Sequence, residues 1–326
     1  SGSPLRRAVA RAAGLDDEDG LGILAWLGDE LPGAVRVRPR PGSASYRRGP
    51  VQLPLVTEPS PFRMSLAGNQ WKLSLGRAAD GKLTLPLTGK GEWIGKFHGP
   101  DFPHLARVEF GTMSWAAASG LPTPRHELVR CEAIADLPAE VPTGDGYAFI
   151  IERFDRLQTG RVHAEDFGQI FDRPPGQTQF SESYEAMAAF LHAEAPADVD
   201  SFIERVVFMV LSGNADAHLK NWAVTYANQR RPALAPCYDL VSTVVYQRIG
   251  KSLALKLNNT QESKFEDVRS ESFDLLAKIT DRDASIVRDQ VSSFAAKARE
   301  AWQRVRELLS VEERNVIEKH LSSVKL

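Results

Sequence analysis

At 326 residues, the chain exceeds what one hydrophobic core usually serves, so two lobes are expected; the 43% apolar content is that of an ordinary globular protein. No run of eighteen or more apolar residues occurs, which excludes an apolar membrane-spanning helix, and a formal net charge of −2 argues against a protein that grips nucleic acid by bulk electrostatics. The two cysteines, Cys131 and Cys237, are far apart and outside any C-x-x-C, so a disulfide framework or structural zinc site is not expected; a reducing, cytoplasmic compartment fits, and no secretory pattern heads the sequence.

The first thirty residues have helical spacing: Leu5, Val9 and Ala13 recur at i, i+4, and an apolar run from Leu21 to Leu27 ends at Gly28. Residues 39–62 are rich in Pro, Ser, Gly and Arg and predict a loop. From Phe62 the period shifts towards two. Leu73, Leu75, Leu83, Leu85 and Leu87 alternate across the turn Ala79-Asp80-Gly81, which predicts a hairpin with Pro86 on an edge strand. A strand follows over 93–98. A helix is expected over 107–119, closed by Gly120 with Pro122 just beyond. Residues 147–152 are rich in aromatic and β-branched types and predict a further strand.

After Phe154 the pattern is mainly helical, over 182–191, 201–212, 270–279 and 284–309, with short strands at 222–226 and 253–257. Strands first and helices later indicate an α+β fold. The expected division is a β-rich lobe over 1–151 and an all-α lobe over 152–326.

Chemistry concentrates in a few segments. Ser212-Gly213-Asn214-Ala215-Asp216-Ala217-His218-Leu219-Lys220-Asn221-Trp222 places small and polar residues between an apolar helix and a strand, as a functional loop does. Asp216 and Asn221 stand at D-x-x-x-x-N spacing. That is the spacing of a kinase catalytic loop, in which the Asp takes the hydroxyl proton and the Asn holds a Mg²⁺. The competing structural reading is a turn in which Asn and Asp act as caps. Asp239, in Cys237-Tyr238-Asp239-Leu240, follows a strand and a short loop, where a kinase carries its metal-binding Asp. One Asp and one Asn plus ATP phosphates suffice for Mg²⁺, which keeps several waters.

Lys96 lies in the apolar strand Ile94-Gly95-Lys96-Phe97-His98. A lysine there either needs an anion, such as ATP phosphate with Glu109 on the next helix, or faces solvent from an edge strand. Upstream, Met64-Ser65-Leu66-Ala67-Gly68-Asn69-Gln70-Trp71-Lys72 has small residues, Ser65, Ala67 and Gly68, that let backbone N–H groups approach phosphate; a simple hairpin is the alternative. At Ile150-Ile151-Glu152-Arg153-Phe154-Asp155-Arg156 strands give way to helices, and Phe154 either stacks on a purine or fills a core.

Taken in order, these segments resemble the HipA family of toxin kinases. The resemblance rests on Ser65 to Lys72 (S-x-A-G-x-Q-x-K), the Lys96 strand, Glu109, Gly120-Leu121-Pro122-Thr123-Pro124, Glu152-Arg153-Phe154-Asp155-Arg156, Arg161-Val162-His163-Ala164-Glu165-Asp166-Phe167, the Asp216–Asn221 loop and Tyr238-Asp239-Leu240. It implies a bilobal protein-kinase-like fold and Ser/Thr protein kinase activity. Asp216 is then the catalytic base, and Asn221 and Asp239 bind Mg²⁺. Lys96 contacts ATP phosphate with Glu109, Glu152 and Phe154 flank the adenine, and Ala67, Gly68 and His218 complete the ATP-binding set. Ser65 matches the serine that family members autophosphorylate. The resemblance further implies an aminoacyl-tRNA synthetase as protein substrate and a HipB-like DNA-binding antitoxin as partner, with no direct nucleic-acid or membrane contact.

The sequence starts almost inside the segment that follows a small N-terminal domain in typical members. Either that domain has been removed, or it exists as a separate HipS-like protein, as beside the short HipT kinases of tripartite systems, which is then a further expected partner. A small-molecule kinase and a catalytically silent co-repressor scaffold stand as alternatives. The H-G-D pattern of the first is not found in this sequence, and retention of Lys96, Asp216, Asn221 and Asp239 argues against the second.

Overall fold

Alternating and continuous apolar runs over 70–152 build one six-stranded sheet. In the computed structural model, which describes residues 10, 14–28, 31–38, 70–78, 80–85, 91–99, 101–173, 177–260 and 262–326, its order is β4-β6-β3-β1-β2-β5. The strands are β1 (Gln70–Arg77), β2 (Leu83–Thr84), β3 (Trp93–His98), β4 (His126–Arg130), β5 (Ile134–Ala135) and β6 (Tyr147–Glu152). β1 and β2 form the expected hairpin, in register Gly76↔Thr84, with Gly81 at φ +83° in the turn. Ala79 and Pro86, assigned to that hairpin from sequence, lie outside the described residues. β3 and β6 have the expected limits and pair with each other in the register Lys96↔Phe149. β4 and β5 lack a sequence signature: β4 is too short for a clear alternation, and its place is fixed by pairing with β6 from Leu128↔Phe149 outwards. Leu73, Leu75, Trp93, Phe97, Cys131, Ile134, Ala148 and Ile150 pack into one buried cluster beside this sheet.

The chain forms two compact units whose borders interleave in sequence. The first holds the described residues through Ala106 together with Arg125–His163; the second holds Arg107–Pro124 and Ala164–Leu326. The first also contains helix α1 (Gly20–Leu27), capped by the Asp19 carboxylate on Gly22 N. Residues 31–35 run back over the first unit and are tied to the segment after β6. Gly33 N donates to Asp155 Oδ2 at 2.7 Å, and Arg156 donates to Leu31 O at 2.7 Å and Gly33 O at 3.0 Å.

Helix α2 (Leu105–Ala118) ends as the sequence predicts. Gly120 adopts φ +90°, and Leu121 N returns to Ala116 O at 3.1 Å, closing the last turn. The second unit then contributes α3 (Phe167–Ile170), α4 (Tyr184–Glu194), α5 (Val199–Ser212), α6 (Asp274–Ile279), α7 (Ala284–Val305) and α8 (Val311–Ser323). Three expectations need correction here. The second unit is not purely helical, since β7 (Ala164–Asp166), β8 (Ala223–Thr225) and β9 (Ala233–Leu234) form a three-stranded sheet. Residues 253–257 are not a strand. They make only isolated bridges, Ser183↔Lys256 and Leu257↔Thr260, and the chain turns sharply at Asn258 and Asn259, both at positive φ. Their apolar character reflects burial of Leu253, Ala254, Leu255 and Leu257, which periodicity cannot distinguish from strand pairing. The helix expected over 284–309 stops at Val305, and α8 begins behind Ser310, whose hydroxyl and Glu313 form a capping box.

Candidate functional site

The loop after α5 is set by its helix end. Gly213 adopts the left-handed conformation at φ +63°, and Asn214 N bonds Met209 O at 3.0 Å, which stops α5 and turns the chain. From there every residue is tied down. Asn214 Oδ1 accepts from Asp216 N at 3.0 Å, forming an Asx turn that fixes the backbone of Asp216. The Thr243 hydroxyl donates to Gly213 O and accepts from Ala215 N, both at 2.8 Å. Asn221 Nδ2 donates to Asp216 O at 2.7 Å, and His218 N donates to the same carbonyl at 2.8 Å. The D-x-x-x-x-N spacing thus closes a ring in which the amide of Asn221 reads the backbone of Asp216. With Nδ2 so used, Asn221 Oδ1 accepts no hydrogen bond among the described residues. His218 is buried, with its ring edge-on to Phe180 at 5.2 Å between centroids.

Asp239 is half-buried and adopts φ +54°, a conformation that Asp tolerates and most residues do not. Its neighbours connect it to the same loop. Tyr238 Oη donates to Lys220 O at 3.0 Å, and Cys237 N donates to Pro122 O at 2.7 Å. Burial pushes the Tyr238 phenol and the Cys237 thiol well above their ordinary pKa values, so neither ionises near neutrality. Arg205 of α5 lies against this assembly, with Nη2 donating to Asn221 O at 2.9 Å. Neither Arg205 nor Thr243 carried a sequence signal, because each acts on the loop from a distant segment.

Asn221 and Asp239 offer an amide oxygen and a carboxylate, a hard-oxygen pair that suits Mg²⁺ completed by phosphate and water. Asn221 Oδ1, with no protein donor among the described residues, is free to serve such an ion.

The first unit holds Lys96, Glu152 and Phe154, whereas Glu109 belongs to the second. Lys96 is 3% exposed, with Nζ 5.6 Å from the Phe149 ring centroid. It stands directly opposite Lys72 of β1, which is also buried. Two like charges facing each other across antiparallel strands are unfavourable unless anions accompany them. Lys72 was legible in its motif, but its pairing with Lys96 depends on strand register. Glu109 is buried on α2. Glu152 ends β6, with its N–H on Arg125 O at 2.8 Å, and Phe154 is half-buried just beyond. Their neighbours Arg153, Asp155 and Arg156 form a buried ion-pair network, with Arg153 Nη2 and Arg156 Nη1 at 2.9 and 2.8 Å from Asp155 Oδ2. Burial alone would raise the Asp155 pKa; the Arg153 hydrogen bond and the charges of Arg153 and Arg156 outweigh it and hold the carboxyl below its ordinary value. Ser65, Ala67 and Gly68 lie outside the described residues.

Comparison with known proteins adds the following. Residues 64–307 match the family model for the HipA-like C-terminal domain. A putative kinase, Y4dM, of Sinorhizobium fredii is 34% identical over 329 residues, covering 99% of this chain and 80% of the relative. A second putative kinase of that organism, Y4mE, is 27% identical over 93% of this chain and 76% of its own length. Among solved structures, a chain in the toxin–antitoxin complex of HipA, HipB and operator DNA from Shewanella oneidensis MR-1 superposes with a TM-score of 0.72. It is 19% identical, with 97% of this chain and 80% of that one covered. The proinflammatory kinase CtkA of Helicobacter pylori gives a TM-score of 0.52 at 12% identity, over 84% of this chain and 92% of its own. At those identities the likeness is one of kinase-like fold.

Proposed function

The chain belongs to the HipA-like family, and from that premise we propose that it is an ATP- and Mg²⁺-dependent serine/threonine protein kinase, the toxin of a type II toxin–antitoxin pair. The observation that carries the reading is the closed Asp216–Asn221 ring, in which the Asn221 amide nitrogen is held on the Asp216 carbonyl and the Asp216 backbone on Asn214. In the proposed reaction, the Asp216 carboxylate orients the acceptor hydroxyl and takes its proton. The hydroxyl oxygen bonds to the γ-phosphorus as the bond from that phosphorus to the bridging oxygen breaks, and ADP leaves with the electron pair. Asn221 and Asp239 hold Mg²⁺, which supplies charge neutralisation on the phosphates. Lys96 and Lys72 supply positive charge for the phosphates. Glu152 and Phe154 flank the adenine, Ala67 and Gly68 cover the phosphates, and His218 shapes the floor of the loop.

A protein acceptor, with an aminoacyl-tRNA synthetase as the target class, follows from the family. So does autophosphorylation at Ser65. The Shewanella neighbour was solved with HipB and DNA, which supports a HipB-like antitoxin as partner here; a small HipS-like protein is proposed beside it.

Incubation of the chain with radiolabelled ATP, magnesium and a bacterial lysate tests the reading. Label is expected on discrete protein bands, and Asp216→Asn is expected to lower transfer by about 10²–10⁴-fold with the fold intact. Label confined to small molecules, or full activity in Asp216→Asn, would reject it.

A further inference from the structure

We propose that Arg205 is a positioning residue for the two metal-binding side chains, an inference that rests on the kinase reading above. Arg205 lies on α5 and is 1% exposed. Its guanidinium stacks over the Trp222 ring at 4.2 Å and approaches the Tyr238 ring at 5.9 Å. Trp222 directly follows Asn221, and Tyr238 directly precedes Asp239. Nη2 donates to the carbonyl of Asn221 itself at 2.9 Å, and Nη1 makes a longer bond, 3.5 Å, to Ala235 O on the segment leading to Asp239. One buried cation therefore bridges the backbones that carry both proposed metal ligands.

The bridge is a costly way to fill a core. No carboxylate pairs with Arg205 among the described residues, and its Nε has no hydrogen-bond partner there. Burying a charge on such terms adds little or nothing to stability, and an apolar residue of similar volume would serve at least as well. What an apolar residue lacks is a flat fork that can reach two carbonyls while two aromatic faces hold its plane. With Asn221 O anchored by Arg205 and Asn221 Nδ2 anchored on Asp216 O, the Asn221 side chain is held from both ends and its Oδ1 is fixed in place. Tyr238 Oη, bonded to Lys220 O, ties the second segment to the same loop. Loss of the guanidinium frees the separation between Asn221 and Asp239, on which a shared ion depends.

The test compares Arg205→Met and Arg205→Lys with wild type. A non-hydrolysable ATP analogue is titrated calorimetrically with saturating magnesium and again with EDTA, and circular dichroism monitors the fold. Wild type is expected to bind more tightly with magnesium. In Arg205→Met that magnesium gain should fall roughly tenfold to a hundredfold, as when a residue supporting a metal ligand is removed. Metal-free affinity should stay within about twofold. Arg205→Lys keeps the charge but loses the fork, and an intermediate loss is expected. In both, kcat falls while KM for the protein acceptor is unchanged. An undiminished magnesium gain in either folded variant overturns the inference, as does an equal loss of affinity with and without metal, which marks a merely structural role. Should Arg205→Met fail to fold, Arg205→Lys decides alone. A wild type that shows no magnesium gain sinks the kinase reading itself, a result distinguishable from a variant that fails to differ.

Discussion

Gly213 shows how much of the proposed catalytic loop hangs on single atoms. It ends α5 at φ +63°, and a Cβ there would lie 2.3 Å from Val244 Cγ1. Its carbonyl also accepts the Thr243 hydroxyl that holds Ala215. Gly213→Ala is therefore expected to cost about 2–4 kcal/mol, combining left-handed strain with overpacking, and to lower phosphoryl transfer by displacing Asp216. Adding Val244→Ala removes the methyl groups in the way and should recover the overpacking part but not the backbone part. Chemical denaturation of the single and double variants measures this; a double variant no more stable than Gly213→Ala would show that the clash is not the cause. At this scale the sequence was informative where chemistry is local. Asp216 and Asn221 are legible because both ends of their interaction lie within five residues. Arg205, Thr243 and the opposition of Lys72 to Lys96 were not legible, because each depends on which distant segments the fold brings together.

Among the elements, the segment after β6 and the run 31–35 form one braced structure around Asp155. Asp155 accepts from Gly33 N and from both Arg153 and Arg156, while the two arginines also hold Leu31 O. Asp155→Asn leaves two buried guanidinium groups without their carboxylate and is expected to destabilise the protein by about 3–5 kcal/mol. The pH dependence has a definite sign. Because the folded-state pKa of Asp155 lies below its ordinary value of about 3.9, its stabilising contribution is complete above that value and is lost as pH falls through the folded-state pKa. The stability gap between wild type and Asp155→Asn should stay constant from neutrality down to about pH 5 and narrow below about pH 4. Urea denaturation across that range checks it, and a gap that widens on acidification would contradict the network. The sequence marked the Glu152-to-Arg156 stretch for adenine binding but gave no hint that its charged members brace the run 31–35. β3, β6 and the close of α2 were legible from aromatic, β-branched and glycine signals. β4 and the misassigned run 253–257 were not, because short buried segments look alike whether they pair as strands or pack as loops.

For the molecule as a whole, length and the order of strands before helices foretold two parts and an α+β fold, but not their interleaving. Pairings such as Thr112 with Ser242 join segments 130 residues apart, and no local pattern carries them. The proposed function also has a consequence at this scale, through linkage: a ligand that binds only the folded chain stabilises it in proportion to the logarithm of its saturation. At about a hundred times its Kd, a non-hydrolysable ATP analogue with magnesium should add about 2.7 kcal/mol, a rise in melting temperature of roughly 4 °C. EDTA should remove most of that rise, since phosphates without their counter-ion repel Asp216 and Asp239. Asp239→Asn separates metal from nucleotide. Asn accepts the φ of +54° that Asp239 adopts, so the backbone turn survives while the carboxylate charge is lost. The variant should therefore melt like wild type when empty, keep the smaller shift seen with the analogue in EDTA, and lose the additional shift from magnesium. Differential scanning fluorimetry with the four combinations of analogue and metal measures this. A full magnesium-dependent shift in Asp239→Asn would place the ion elsewhere in the chain, whereas loss of the metal-free shift as well would mean that Asp239 supports the nucleotide site structurally instead of through the metal.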